Sequence, residues 1–203
     1  MPRTFGAAQL NGLIATGDFN GDNHSDVVVT TETGFSVLLG NGDGSFEPPS
    51  HVDSTQSFGS IAVGDLDGNG LLGVITGTYG SIFVYVSNGD GTFQSPVTFS
   101  RPNNGPIAPG DFDGDHRIDI VSASESFPGS LSVFLGNGDG TFQSPTTTAL
   151  SFEPTALAVG DFNGDHRDDV AVAPYPDCCP PVGLVDVLLG DGTGGFSEPL
   201  EYA

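Results

Sequence analysis

Cationic side chains are almost missing from this chain of 203 residues. It has no lysine and only four arginines, Arg3, Arg101, Arg117 and Arg167, against 26 aspartate and glutamate residues. The formal net charge is −22. Because proteins hold phosphate and sulfate groups mainly through Lys and Arg, this balance argues against nucleic acid, anionic lipid headgroups and polyanionic sugars as partners.

Cysteine and long apolar runs are also scarce. The two cysteines, Cys178 and Cys179, are adjacent, so they cannot crosslink distant strands or form a CxxC metal pair. In an oxidising compartment they could form a vicinal disulfide; the alternative is two thiols in a proline-rich loop. The sequence contains no run of 18 apolar residues, so it predicts no transmembrane helix. Residues 1–5 do not form a signal peptide, a pattern typical of a segment trimmed from a longer secreted chain. We expect a secreted or cell-surface protein, chiefly because of the aspartate loops described below.

The sequence also lacks any uninterrupted segment with helical periodicity. The 31 glycines and 15 prolines break every window long enough for a helix. Between them lie short runs of Val, Leu, Ile and Phe, bounded by Gly, Asn and Asp. This pattern is typical of many short strands joined by tight turns, so we expect almost no helix.

Two sequence anchors recur four times in the same order. The first anchor, of the form Gly-Asp-x-Asx-Gly-Asx, begins at Gly17, Gly64, Gly110 and Gly160. The second, a Gly/Asn/Asp-rich turn that ends in Phe, covers residues 40–46, 87–93, 136–142 and 190–196. We predict repeats at approximately 6–54, 55–100, 101–150 and 151–203, with residues 1–5 as a strand that could close a ring.

Each repeat has room for four strands. In the third repeat we predict them at 106–110, 118–123, 131–135 and 142–149. The Asn-Gly and Asp-Gly pairs of the second anchor are strong signals for a hairpin between strands three and four. A repeated four-stranded meander is typical of a β-propeller. The predicted fold is therefore all-β, with four four-stranded antiparallel blades in a closed ring or in part of a larger propeller.

The loop between strands one and two carries oxygen-bearing side chains at its positions 1, 3, 5 and 9, counted from the first aspartate. They are Asp18, Asn20, Asp22 and Asp26 in loop one; Asp65, Asp67 and Asn69 in loop two; Asp111, Asp113, Asp115 and Asp119 in loop three; and Asp161, Asn163, Asp165 and Asp169 in loop four. Position 7 would offer its backbone carbonyl, from His24, Leu71, Arg117 and Arg167.

Calcium prefers six to eight oxygen ligands, and alternate residues of a tight loop deliver them from one side. We predict three strong Ca²⁺ sites, in loops one, three and four. Loop two has Gly73 at position 9, so we predict a weaker fourth site there. The loops are not EF-hands, which have Gly at position 6, Glu at position 12 and flanking helices. The alternative is an Asx-rich turn whose aspartates cap backbone N–H groups.

The pattern resembles the FG-GAP/VCBS repeat, the blade of integrin α-subunit propellers and of many secreted proteins. Residues 160–165 with 169–172, and residues 133–142, look like its two halves. The resemblance implies a propeller with calcium between the first two strands of each blade. Propellers of this family usually have seven blades. Four repeats leave three arrangements: a closed four-bladed ring, part of a larger propeller, or a half completed by self-association.

No catalytic arrangement stands out. There is no Gly-x-Ser-x-Gly elbow and no cluster of His and Cys, and the repeated aspartates are assigned to ions. We therefore expect a binding or scaffold module, adhesion- or lectin-like, with a protein or glycan ligand and no activity of its own. The alternative is an accessory or catalytic propeller domain of a secreted carbohydrate-active enzyme.

Ligand contacts are expected where the repeat is interrupted. The first choice is residues 174–181, which lengthen the connection between strands two and three of the fourth repeat, and the second is residues 124–128. The aspartates of the second anchor, Asp43, Asp90, Asp139 and Asp191, are assigned to turn geometry. The histidines His24, His51, His116 and His166 are assigned to solvated positions.

Overall fold

The computed structural model describes residues 10–101, 104–175, 185–197 and 200–202. These residues form sixteen strands and no helix, which confirms the all-β prediction. The strands are β1 (Leu10–Gly17), β2 (Asp26–Thr31), β3 (Gly34–Leu38), β4 (Ser50–Asp53), β5 (Ser60–Gly64), β6 (Gly73–Thr78), β7 (Ser81–Tyr85), β8 (Val97–Ser100), β9 (Ile107–Gly110), β10 (Asp119–Ser124), β11 (Ser130–Phe134), β12 (Thr146–Ala149), β13 (Pro154–Gly160), β14 (Asp169–Pro174), β15 (Val185–Leu188) and β16 (Leu200–Tyr202).

The strands form four antiparallel meanders, each of four consecutive strands. We call them blades 1 to 4: β1–β4, β5–β8, β9–β12 and β13–β16. The first strands of the blades pack side by side, β1 on β5, β5 on β9 and β9 on β13. Among the described strands, no comparable packing joins β13 back to β1. The predicted closing strand at residues 1–5 lies outside the described residues.

Three hydrophobic clusters lie between successive blades. Blades 1 and 2 share Phe19, Phe35 and Tyr85; blades 2 and 3 share Leu66 and Ile120 among others. The third cluster joins blades 3 and 4 through Phe112, Val121, Leu131 and Val170, to name four. Because side chains alternate along a strand, Val74 of β6 packs towards blade 1 and Ile75 towards blade 3. The second strand of blade 2 is therefore buried on both of its faces.

The fourth strand of blade 3 is shorter than the sequence predicts. In blade 3 it runs from Thr146, whereas the prediction began at Phe142. Phe142 instead forms an isolated bridge to Gly136. Pro145 lies between the two, and proline has no N–H to donate to a ladder, which accounts for the interruption. The hairpin of the second anchor is otherwise placed as predicted.

Candidate metal centres

The four aspartate loops lie at one end of the blades, between the first and second strand of each. In loop one the carboxylate at position 1, Asp18, accepts hydrogen bonds from the N–H groups of Gly21 (2.7 Å) and Asn23 (2.8 Å). Both donors have positive φ, 79° and 63°. Glycine adopts this conformation without strain and asparagine tolerates it, so the chain wraps tightly around the aspartate.

The other loops repeat this wrapping. In each, the aspartate at position 1 accepts backbone N–H groups from the turn that follows: Asp65 from Asn69 and Gly70, Asp111 from Gly114 and His116, and Asp161 from Gly164 and His166. The side chain at position 5 accepts the N–H of position 7, as in the pair Asp115 and Arg117 at 2.9 Å. Asx turns therefore set the shape of all four loops.

Loop three is the loop with a carboxylate at each of positions 1, 3 and 5. Oxygens of Asp111, Asp113 and Asp115 lie within 4.8 Å of one another. Burial, followed by the neighbouring carboxylates, raises the pKa of Asp113 above its ordinary value. The guanidinium of Arg117 lies 3.1 Å from Asp115 and offsets part of the repulsion. A divalent cation would offset more of it.

An asparagine replaces one of these carboxylates in each of the other loops. Its amide nitrogen donates to the neighbouring carboxylate: Asn20 to Asp22 at 3.0 Å, Asn69 to Asp67 at 3.0 Å, and Asn163 to Asp165 at 3.1 Å. These contacts relieve repulsion without an ion. The oxygen of each amide accepts one backbone N–H and keeps a lone pair for a cation, so the donor set remains suitable for calcium.

The aspartates at position 9 have a structural role that the sequence reasoning missed. Asp26, Asp119 and Asp169 are fully buried. In blade 3, one carboxylate oxygen of Asp119 accepts the N–H of Phe112 at 2.8 Å, and the other accepts that of Gly136 at 2.7 Å. The same pair of bonds recurs around Asp26 and Asp169. We call this arrangement the aspartate clamp. It joins the aspartate loop, called the ion loop from here on, to the second anchor.

Blade 2 has Gly73 where the other blades have the clamp. A Cβ atom there would lie 2.6 Å from the carbonyl oxygen of Tyr85 and 2.7 Å from a methyl carbon of Leu66. Packing therefore excludes an aspartate at position 73. Loop two thus lacks both the ligand at position 9 and the clamp that joins the other loops to the second anchor.

The clamp of blade 3 also has an unusual ionisation. Burial raises the pKa of Asp119 to about 6, against an ordinary 3.8. The hydrogen bonds from Gly136 and Phe112 oppose this shift, and the charges of Asp113 and Asp115 add to it.

The oxygen-only donor sets fit calcium in chemical type. Positions 1, 3 and 5 supply carboxylate or amide oxygens in every loop, and loop three brings three carboxylates together. Each oxygen of Asp26, Asp119 and Asp169 already accepts one N–H, and each keeps a lone pair for an ion. Ligation by positions 1, 3, 5 and 7 in all four loops, and by position 9 in loops one, three and four, stays a prediction.

The second-anchor aspartates form turns of their own. Asp43, Asp90, Asp139 and Asp191 each accept the N–H of the residue two positions later. Three histidine rings lie 3.4 Å from carboxylates: His24 from Asp22, His51 from Asp53 and His116 from Asp111.

The ion loops of blades 1 to 3 also contact the following blade. The N–H of Asp168 donates to the carbonyl of Asp111 at 2.9 Å, and the N–H of Asp111 donates to the carboxylate of Asp168 at 2.8 Å. The N–H of Leu72 donates to the carbonyl of Asp18 at 3.4 Å, and the N–H of Gly140 donates to the carbonyl of Leu66 at 3.0 Å. Order in a loop is therefore coupled to packing between blades.

The opposite end of the blades carries exposed aromatic rings. Tyr79, Phe127 and Tyr175 occupy the connection between the second and third strands of blades 2, 3 and 4, and all are exposed. Tyr79 lines a cavity of about 230 Å³ with Phe58 and Asn104. The two predicted ligand segments supply Phe127 and Tyr175, whereas Tyr79 was not predicted. Cys178 and Cys179 lie outside the described residues.

Comparison with solved structures shows the fold. The chain is 24% identical to an Agrocybe aegerita lectin that recognises non-reducing terminal N-acetylglucosamine, with a TM-score of 0.66 over 92% of this chain and 50% of that one. It is 14% identical to a chain of the BBS1N–ARL6DN complex, with a TM-score of 0.65 over 96% and 58%. It is 18% identical to a chain of the Photorhabdus luminescens Tc holotoxin pore, with a TM-score of 0.52 over 95% and 9%. The chain thus spans 50% of the length of the lectin and 58% of the length of the matched chain in the BBS1N–ARL6DN complex.

No curated protein sequence matches this chain significantly. The described residues include no helix long and apolar enough to span a membrane. The model of the FG-GAP-like repeat matches residues 18–76, 65–122 and 111–172, and that of the FG-GAP repeat matches residues 154–194. These matches cover most of the sequence and begin at or near the ion loops. The chain therefore belongs to the FG-GAP repeat family and has the β-propeller architecture.

Proposed function

We propose that this chain is a calcium-stabilised extracellular binding module, lectin-like, with no catalysis of its own. The observation that carries the proposal is the division between its two ends. At one end the carboxylates are wrapped in loops suited to a cation. At the other end three aromatic rings are exposed on the connections between the second and third strands of successive blades.

Calcium has a scaffold role in this proposal. An ion in loop three neutralises Asp111, Asp113 and Asp115, and the same loop is bonded to blade 4 through Asp168. Binding to the native state alone stabilises that state by mass action. The ions therefore hold the blades in register rather than contact the ligand.

The ligand surface in this proposal is the aromatic end. At the end with the ion loops, buried and hydrogen-bonded carboxylates make the backbone rigid. At the other end, exposed aromatic rings on connecting loops are suited to contact a ligand. The net charge of −22 disfavours anionic ligands, so a neutral glycan is the preferred class. The lectin relative makes terminal N-acetylglucosamine the first sugar to test.

The two parts of the proposal have separate tests. Isothermal titration with Ca²⁺ should show binding, and excess chelator should lower the melting temperature by several degrees. An unchanged melting temperature would contradict the scaffold role.

Glycan-array binding tests the ligand role. Tyr79→Ala should weaken binding at least tenfold at unchanged melting temperature. Thr98→Ala, an exposed change on the outer strand β8, is the control. Equal binding by both variants, or cleavage of the glycan by the purified chain, would contradict the proposal.

A further inference from the structure

The repeats allow each blade to be compared with its neighbours. The residue at position 2 of the ion loop is Phe19, Leu66 or Phe112 in blades 1 to 3, and each is buried in the cluster shared with the following blade. The equivalent residue of blade 4, Phe162, is 53% exposed. The same side chain in the same loop thus lacks the cover that a following blade provides.

The rest of that side of blade 4 follows the same pattern. We call the side of a blade that faces the next blade its trailing face. In blade 3 this face consists of Phe112, Val121, Ala123, Leu131 and Val133, all of them buried. The equivalents in blade 4 are Phe162, Ala171, Ala173, Val185 and Val187, and none is fully buried. Val185 is 41% exposed, where Leu131 is completely covered.

The opposite side of a blade, its leading face, is also open in one place. On the first strands of blades 2 to 4, Ile61, Ile107 and Leu157 pack into the cluster shared with the preceding blade. The equivalent residue of blade 1, Ile14, is 64% exposed. Further out on the same face, Val29 and Leu38 are already buried, so the open part of this face is the inner strand β1.

In every internal interface a trailing face meets the inner strand of the following blade, together with residues of its second and third strands. Within the described chain, β13 and β1 do not pack together, so one copy leaves both uncovered. We propose that the trailing face of blade 4 is an interface for a second copy of this chain, which covers it with the inner strand of its own blade 1. A two-fold axis along the centre of the ring makes both contacts at once. The result has eight blades, within the range known for propellers.

The second copy would also complete the fourth ion loop. In loop three the carbonyl of Asp111 accepts the N–H of Asp168, which occupies position 8 in the loop of the next blade. Leu72, at the same position of blade 2, donates to Asp18. The equivalent pair across the proposed interface is Asp161 and Ser25 of the second copy. Each chain carries a charge of −22, so salt and Ca²⁺ should strengthen the association.

Sedimentation velocity over a concentration series, in calcium and salt, tests the interface. The unmodified chain should be a dimer, and both Phe162→Ser and Ile14→Ser should shift it to monomer. Phe127→Ser is the matched control, because Phe127 is 58% exposed at the other end of the blades and should leave the dimer intact. Circular dichroism checks that each variant keeps its sheet signal. Val185→Ser replaces Phe162→Ser if that variant does not fold.

Mixing separates this arrangement from others. A mixture of Phe162→Ser and Ile14→Ser chains retains one unmodified interface per pair, so it should recover part of the dimer. A chain that is monomeric at every concentration would overturn the proposal. Loss of the dimer in Phe162→Ser but not in Ile14→Ser would also overturn it, because fourth blades would then pair with each other.

Discussion

The carboxylate of Asp119 accepts the backbone N–H of Gly136 at 2.7 Å, and so joins the two repeated sequence anchors of blade 3. Its second oxygen accepts the N–H of Phe112 in the ion loop. The carboxylate is buried, so neither amide has water as a substitute partner. This one side chain therefore bonds the ion loop of blade 3 to its hairpin.

The clamp should not tolerate an amide. Asp119→Asn has one acceptor oxygen for two N–H donors, so its NH₂ group would face an N–H. We expect the free energy of unfolding to fall by roughly 2–4 kcal/mol, from an unpaired buried donor and a forced contact. Denaturant unfolding in excess chelator measures this without a contribution from calcium. Asp53→Asn, on a fully solvated side chain, is the control. Equal stability of the two variants would contradict the clamp.

Ionisation of Asp119 should make stability depend on pH. Its pKa in the native state is about 6, above the ordinary 3.8, so the native state binds more protons between these values. The contribution to the free energy of unfolding therefore falls as pH rises from about 4 to 6, and the full loss, about 3 kcal/mol, is present above pH 6.

The free energy of unfolding of the unmodified chain minus that of Asp119→Asn isolates the contribution of Asp119, because the other carboxylates titrate in both chains. In chelator the difference should shrink on going from pH 4 to pH 7. Calcium favours the charged carboxylate, so it should weaken or reverse the trend. Parallel pH profiles in chelator would show that Asp119 does not titrate in this range.

The ion loops should differ in what calcium contributes. Asp111→Ala removes a ligand from the loop with three clustered carboxylates, and Asp65→Ala removes one from the loop without a clamp. Both variants also lose a capped turn, so stability must be compared with and without calcium. The stabilisation by calcium should fall more for Asp111→Ala. Equal falls would mean that loop two binds as strongly as loop three.

Arg101 should be essential to the joint between blades 2 and 3. It is buried, and it donates to the carbonyls of Thr78 (3.0 Å) and Gly105 (2.9 Å) and to the hydroxyl of Ser122 (3.2 Å). Burial lowers its pKa to about 10, so it stays charged at neutral pH. The side-chain oxygen of Asn104 accepts a further hydrogen bond from Arg101 at 3.0 Å.

Arg101→Met keeps much of the side-chain volume but leaves these acceptors unpaired. We expect a loss of roughly 3 kcal/mol or more in the free energy of unfolding, measured in chelator. Arg167→Met is the control, because the side chain of Arg167 is 42% exposed and its guanidinium lies 3.9 Å from the carboxylate of Asp165. Comparable losses for the two variants would contradict a role of Arg101 in the joint.

Much of the blade could be predicted from the sequence, because its signals are local. The hairpin turns depend on Asn-Gly and Asp-Gly pairs, and the ion loops depend on aspartates two residues apart. The Asx turns around Asp18 and Asp111 also join residues only three to five positions apart. Such contacts form within one short segment, so the pattern of residue types is enough to place them.

The tertiary structure alone decided which of these residues are buried. Asp119 and Gly136 are 17 positions apart, and Arg101 meets Ser122 across two blades. Phe112 and Phe162 occupy the same position of the same motif, yet only Phe112 is covered. The sequence determined a repeated blade with oxygen-rich loops; packing between blades determined the clamp, the buried arginine and the open face, because burial depends on which neighbour is present.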